Sequence, residues 1–298
     1  MFLIVLACTN TKPINQYKTK TLRGDSIYYY IYNDATQIPF YKQIYSYDSN
    51  GFIANATYLL MNSNTKNWEN NAKLDYGYDV YGNNKSLLHY SWNDNLNDWQ
   101  KTAKNELLFE NDNQCKSKIQ YHWNVEEEEW GRASKEEYTY SPNSRFDSCV
   151  LYDWNVFNVD WTLASKRKLQ INTLTNIETE TQQAWNKTDS MWENQNKSEC
   201  FFDSVGNMYM NIKYQWNKQN KNWEKADKTE YSYDNAYPIS NICGYDINSK
   251  YKHKLTSALF YKYTDNTWVK CTKAIYYYSK IKIGNSVSLR SMGFWNIN

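Results

Sequence analysis

The side chains with the means for catalysis or metal binding are few in this sequence, and their spacing does not assemble them. Its 3 histidines, His89, His122 and His253, lack spaced partners for a metal or a nucleophile, so each reads as a strand or surface residue. Cys115, Cys149, Cys200, Cys243 and Cys271 show no Cys-X-X-Cys or Cys/His spacing suited to zinc, and their odd number leaves at least one unpaired. Glu126, Glu127, Glu128 and Glu129 form an acidic run, but it stands in a turn, where charge needs no calcium to explain it. Gly-X-Ser-X-Gly, a phosphate loop, a dinucleotide glycine pattern and His-Glu-X-X-His are all absent from the sequence. The expectation is a protein that is not an enzyme, with no catalytic residue, no metal and no cofactor.

The chemistry that the sequence does supply is aromatic. It holds 29 Tyr and 13 Trp, and such rings either fill a core or stack on sugars and apolar partner surfaces. Tyr90, Trp92, Trp99, Tyr121, Trp123, Trp130, Tyr214, Trp216 and Trp223 are the candidate ligand-stacking residues. Cys8 is a candidate of another kind: it closes the apolar run from Met1 to Ala7, and Val5-Leu6-Ala7-Cys8 resembles a bacterial lipobox, in which the signal is cut before a cysteine that then carries lipid. The net charge of +2 makes no case for nucleic acid. Mean hydropathy is -0.88 beside 17% aromatic residues, which suits a sheet with one apolar face better than disorder.

What positions these rings is a repeat. Trp68, Trp99, Trp130, Trp161, Trp192 and Trp223 stand 31 residues apart. Seven residues before each lies Met61, Trp92, Trp123, Trp154, Trp185 or Trp216, always followed by Asn, and five residues after each lies Lys73, Lys104, Lys135, Lys166, Lys197 or Lys228. The frame extends back to Lys42 and resumes at Trp268 and Lys273 after an insertion around 238–251, which gives up to eight units and about sixteen strands. Cys200 stands where other units carry Tyr or Leu, as a small core hydrophobe would.

Within a unit the period is two, so each unit is a hairpin. Counting outward from Trp68 puts Asn70, Ala72, Leu74, Tyr76 and Tyr78 on its face and Glu69, Asn71, Lys73 and Asp75 on the other. The Asn after the first Trp opens one turn, and Tyr-Asp-X-X-Gly, as at 47–51, 78–82 and in the related Phe202–Gly206, makes the other. If Trp92 faces Trp99, Tyr90, Tyr121 and Tyr214 oppose Lys101, Arg132 and Lys225, with the cation covering the ring; Tyr152 opposes Leu163, and Leu59 and Gln183 oppose Asn70 and Asn194. Lys73/Asp75, Lys104/Glu106, Lys135/Glu137, Lys197/Glu199 and Lys228/Glu230 read as a solvated charge ladder that Lys166/Lys168 breaks.

Segments 45–51, 76–83 and 231–234 resemble the YD repeat of RHS-type bacterial surface proteins, and the paired Trp resemble Trp-rich repeats of secreted and lipid-anchored bacterial proteins. The resemblance implies stacked hairpins and an exported location, at the outer membrane, cell surface or periplasm. The expected fold is all-β, tandem hairpins in a curved antiparallel meander, as an open shell or solenoid. A possible lipoprotein signal covers 1–8, a tether 9–20, the array 21–279 and a cap 280–298. The expected function is an exported binding or adhesion module for a glycan or an envelope protein, held to the membrane by the lipid anchor only. A structural spacer is the alternative, and an outer-membrane β-barrel, suited by hairpins of ten-residue strands with aromatic ends, is the distant one.

Overall fold

The computed structural model describes residues 22–33, 36–110, 114–141, 146–243 and 250–281. Its strands are β1 (Leu22–Asn33), β2 (Thr36–Tyr47), β3 (Ile53–Met61), β4 (Trp68–Tyr78), β5 (Asn84–Asn93), β6 (Asp98–Phe109), β7 (Cys115–Asn124), β8 (Glu129–Tyr140) and β9 (Phe146–Asn155). They continue with β10 (Asp160–Asn172), β11 (Ile177–Asn186), β12 (Met191–Phe202), β13 (Met208–Asn217), β14 (Asn222–Pro238), β15 (Ile242–Cys243), β16 (His253–Thr264) and β17 (Thr267–Lys280). A 3-10 turn at Ile239–Asn241 is the only helical segment among the described residues. Cys8, the proposed signal and tether, and nearly all of the C-terminal cap lie outside those residues.

Both turns form by the chemistry expected of them. Asn62 Oδ1 accepts from the backbone N–H of Asn64 and Thr65 at 2.9 and 3.0 Å, and Asn93, Asn124, Asn155, Asn186 and Asn217 repeat the pattern. At the opposite end Asp79 Oδ1 accepts from the N–H of Tyr81 and Asn83, each at 2.9 Å, and Gly82 takes φ +86° beneath the ring of Phe52. The motif tyrosine has its own task. Tyr78 donates its hydroxyl to Ile53 O at 3.1 Å, Tyr140 to Cys115 O at 2.9 Å and Tyr233 to Met208 O at 2.6 Å, tying each turn to the hairpin before it.

The cross-strand register is the expected one: Trp92 pairs Trp99, Tyr90 pairs Lys101, Tyr121 pairs Arg132, Tyr214 pairs Lys225 and Tyr152 pairs Leu163. The faces are not. Tyr58 pairs Ala72 while Leu59 pairs Asn70, so Asn71 is an extra residue, a β-bulge. Thr102, Ala133, Ala164, Gln195 and Ala226 are its counterparts in later hairpins. One extra residue inverts the alternation beyond it. Trp68 and Asn70 therefore share a face with Lys73 and Asp75, whereas Ala72, Leu74 and Tyr76 turn to the other side, the reverse of the uniform count.

The expectation of an open shell or solenoid is also overturned. Successive strands pair antiparallel from β1 to β14, β14 pairs β16 across the insertion, β16 pairs β17, and β17 returns to β1 from Leu22↔Lys280 to Ile31↔Thr272. The sheet is a closed antiparallel barrel of 16 strands, with β15 added parallel to the start of β1 through Leu22↔Ile242 and Arg23↔Cys243. A bulge strengthens local twist, and repeated in hairpin after hairpin it coils the meander until its ends meet and no edge is left unpaired.

The side that Ala72 and Leu74 face is the inside. Ala56, Tyr58, Leu74 and Leu87 form one buried cluster, and Ile27, Ala258 and Ala274 form another under Tyr29, Tyr45, Tyr231, Phe260 and Tyr276. The insertion folds in against the same side. Tyr251 packs on Tyr231 and Tyr233 with centroids 5.6 and 5.9 Å apart, Lys250 Nζ reaches Glu178 at 3.4 Å, and the carbonyl of Lys250 accepts from the Met208 N–H at 2.8 Å.

Candidate functional site: the barrel lumen

On strands β14, β16, β17 and β1 to β5 the inner wall is tyrosine, alanine and leucine, packed into the two clusters above. From β6 to β12 the inward positions change character: Asn105, Lys118, Gln120, Glu136, Arg167, Glu180, Gln182 and Ser198 line the wall. Sixteen-stranded barrels generally enclose an interior wider than their wall side chains fill, and this polar arc lines that interior, with Arg167 and Glu136 only 20% and 14% exposed.

Its charges form one chain across neighbouring strands. Lys118 of β7 contacts Glu136 of β8, whose Oε2 also accepts from Arg167 Nη2 of β10 at 3.0 Å and from the Tyr138 hydroxyl at 2.8 Å. Arg167 Nη1 lies 3.9 Å from Glu180 of β11, and Cys149 of β9 sits beside the carboxylate with Sγ 3.6 Å from Oε2. Two cations and two carboxylates balance, so the arc offers alternating charge rather than a field of one sign. Smaller polar pairs extend it. Ser134 Oγ bonds Gln120 Oε1 at 3.3 Å, and an Asn105–His89 contact spans 3.2 Å. Such a wall can hydrate, hold or pass small polar molecules; nothing in it assembles a nucleophile with a base.

The nine expected stacking residues are elsewhere, on the outer wall, and do not converge. Trp92–Trp99, Trp123–Trp130 and Trp216–Trp223 are edge-to-face pairs with centroids 5.0, 4.8 and 4.9 Å apart, the first two on β5 to β8 and the third on β13 and β14. Tyr90, Tyr121 and Tyr214 are covered by cations, as expected, but not by their register partners. Lys73, Lys104 and Lys197 of the preceding hairpins lie over them at 4.3, 4.6 and 4.2 Å, while Lys101 reaches on to Trp123 at 4.5 Å. The bulge explains the exchange, since it turns the Lys column onto the aromatic face. Each of these lysines also meets its acid: Lys73–Asp75 at 3.2 Å, Lys104–Glu106 at 2.7, Lys135–Glu137 at 2.8, Lys197–Glu199 at 2.7 and Lys228–Glu230 at 2.6 Å. The rings are thus parts of a repeated ring–cation–carboxylate brace.

His89 faces the lumen, and His253 lies against Asn207 in the turn that receives the insertion. Among the described residues no three His, Cys, Asp or Glu are grouped to hold a metal, and Cys115, Cys149, Cys200 and Cys271 are free thiols. The uniform count missed Glu136 and Arg167 because both follow a bulge and were assigned to the Trp face. A signal was present. The columns that carry them, Leu74, Asn105, Glu136, Arg167, Ser198 and Thr229 for one, vary from unit to unit while the Trp, Asn and Lys columns stay fixed.

Comparison with family models and with curated protein sequences finds no match. Among solved structures, a porin-like protein from Bacteroides uniformis is similar over 92% of this chain and 100% of its own, with a TM-score of 0.50 at 8% identity. A protein of unknown function from Bacteroides fragilis aligns with 47% of this chain and 94% of its own, at a TM-score of 0.39 and 15% identity. A DUF3836 family protein from Bacteroides vulgatus aligns with 30% of this chain and 90% of its own, at a TM-score of 0.26 and 24% identity. At such identities likeness speaks to fold alone, and the porin-like structure supports the barrel that sequence ranked as the distant alternative over the open array.

Proposed function

We propose that the protein is a porin-like β-barrel of the bacterial outer membrane whose lumen conducts small polar solutes. The observation that carries this reading is the closed 16-strand sheet with a polar, charge-balanced arc on its inner wall. A balanced wall keeps water in the lumen and suits neutral or zwitterionic solutes, whereas a wall of one sign would select ions. In this reading the strands cross the membrane, and the Trp pairs near one rim suit the lipid headgroup level.

One observation favours a second reading, in which the same barrel stands in water and holds its solute as a container. The five Lys–acid pairs lie on the outer wall in mid-strand. A cation facing lipid costs about 2–4 kcal/mol at the bilayer midplane and little near its surfaces.

Reconstitution into vesicles tests the two together. The first reading expects the folded barrel to insert, lipid-borne quenchers to dim its Trp emission, and small sugars to enter the vesicles faster than larger ones. A barrel that stays monodisperse in buffer without detergent and leaves vesicles sealed would sink it in favour of the second.

A further inference from the structure

The outer brace repeats around the wall, so its failures are informative. At β10 to β12 its acid and its tyrosine are both replaced, while the lysine and the tryptophan stay. Lys168 stands in the place of the acid that Lys73, Lys104, Lys135, Lys197 and Lys228 each have beside them, and Gln183 stands in the place of the tyrosine. The acid's place holds Ile44 beside Lys42 and Ile275 beside Lys273, but only here does it hold a second cation. Lys166 keeps one ring contact, Trp192 at 4.7 Å, and neither Lys166 nor Lys168 has a carboxylate within ion-pair distance among the described residues.

The strand opposite has changed with them. Lys166 pairs Gln183, Lys168 pairs Thr181 and Gln170 pairs Thr179; the place of Thr181 is Leu88, Ile119, Val150 or Ile212 in four other hairpins and Thr57 in a fifth. Gln183 donates to Asn194 Oδ1 at 2.9 Å, continuing the polar strip onto β12. Two uncompensated ammonium groups on one face, separated along the strand by about 7 Å, thus border the hydroxyls and amide of β11, with the Lys197–Glu199 ion pair of β12 beyond Thr181 and Thr179.

We propose that this strip on β10 to β12 is a binding site for an anionic saccharide. Lys166 and Lys168 take its carboxylate or phosphate groups, and Thr179, Thr181, Gln183 and Asn194 take the ring hydroxyls. The site lies on the outer wall in mid-strand, level with the five Lys–acid pairs, so it rests on the second reading, in which the barrel stands in water.

The test uses the full chain with a short oligogalacturonate as probe, a maltooligosaccharide of equal length as neutral comparator and inorganic phosphate as the bare anion. Wild type binds the oligogalacturonate, more weakly as salt rises, and binds the neutral sugar at least tenfold less well. Lys168→Glu restores the Lys–Glu spacing of the neighbouring units, so it keeps or raises thermal stability while weakening binding at least tenfold. Lys168→Thr is the neutral second variant, with a several-fold loss, and Lys104→Gln, at an acid-paired lysine, changes binding less than twofold. Unaltered binding by Lys168→Glu and Lys168→Thr, absence of binding by wild type, or displacement by an equal concentration of inorganic phosphate each overturns the site.

Discussion

Among the described residues, Val159 carries the clearest local strain. It sits in the Asn-initiated turn at φ 53°, a place its counterpart Asn97 occupies at φ 49° with a side chain suited to it. A β-branched residue there costs about 1–2 kcal/mol, so Val159→Asn is expected to stabilise the barrel by about 1 kcal/mol, read as a higher denaturant midpoint. Asn207 works in the opposite sense. Fully buried, it accepts from the N–H of Lys252 and His253 at 2.9 and 3.0 Å and donates to Asp203 at 3.2 Å, so it fastens the insertion to the barrel. Asn207→Ala leaves buried donors without acceptors at about 1–3 kcal/mol each; the expected result is faster proteolysis within 238–252 with the barrel strands still protected in hydrogen exchange. Asp203 adds a pH dependence. Burial opposes its ionisation, but the N–H groups and side chain of Asn207 and the N–H groups of Val205 and Gly206 outweigh it and hold the carboxyl below its ordinary range. A depressed carboxylate stabilises the fold above its unfolded value of about 4 and loses that contribution as pH falls through the folded value. Asp203→Asn should therefore lose stability at neutral pH and show a shallower further loss below pH of about 4.

At the level of the hairpin, the bulge residue is the element with the largest reach. Removing Thr102 alone would restore strict alternation without moving any other side chain to a new face, because Lys101, Ala103 and Lys104 then simply succeed one another as out, in and out. One deletion is expected to be tolerated with a modest loss of stability. Deleting Asn71, Thr102, Ala133, Ala164, Gln195 and Ala226 together removes the added twist from six hairpins and should keep the strand content seen by circular dichroism while the chain associates through open edges, seen as high-mass species in light scattering. A six-fold deletion that stays monomeric would show that the bulges do not drive closure. The Lys–acid braces matter less to stability. They are at least partly exposed, and such a pair is worth about 0–1 kcal/mol.

At the scale of the whole molecule, closure depends on one seam, β1 against β17, with Ile27, Ala258 and Ala274 buried beneath it among Tyr29, Tyr45, Tyr231 and Tyr276. Ala274 is fully buried, and a larger side chain has no room. Ala274→Leu is expected to cost about 1–3 kcal/mol by overpacking and to reduce solute entry in the vesicle assay if it loosens the seam. The end of the insertion is a second feature of the whole, since Lys250 and Tyr251 touch β12, β13 and β14 from the inner side before β16 resumes the meander.

Sequence alone determined what is local and repeated: the hairpins, the Asn and Asp turns, the Trp–Trp and Tyr–Lys register, and a strand count of about sixteen. These follow from residue type and spacing because a turn and its two strands are set by contacts within one unit. Tertiary structure decided which way each face points and whether the array closes. A bulge residue such as Thr102 or Ala133 is chemically ordinary, so nothing in the sequence marks it, yet it inverts every side chain beyond it. Closure accumulates over all the hairpins and is completed by pairing Leu22 with Lys280, residues at opposite ends of the described chain. The aromatic face of the hairpin thereby became the outer wall, and the varying columns that looked like noise became the lining of the lumen.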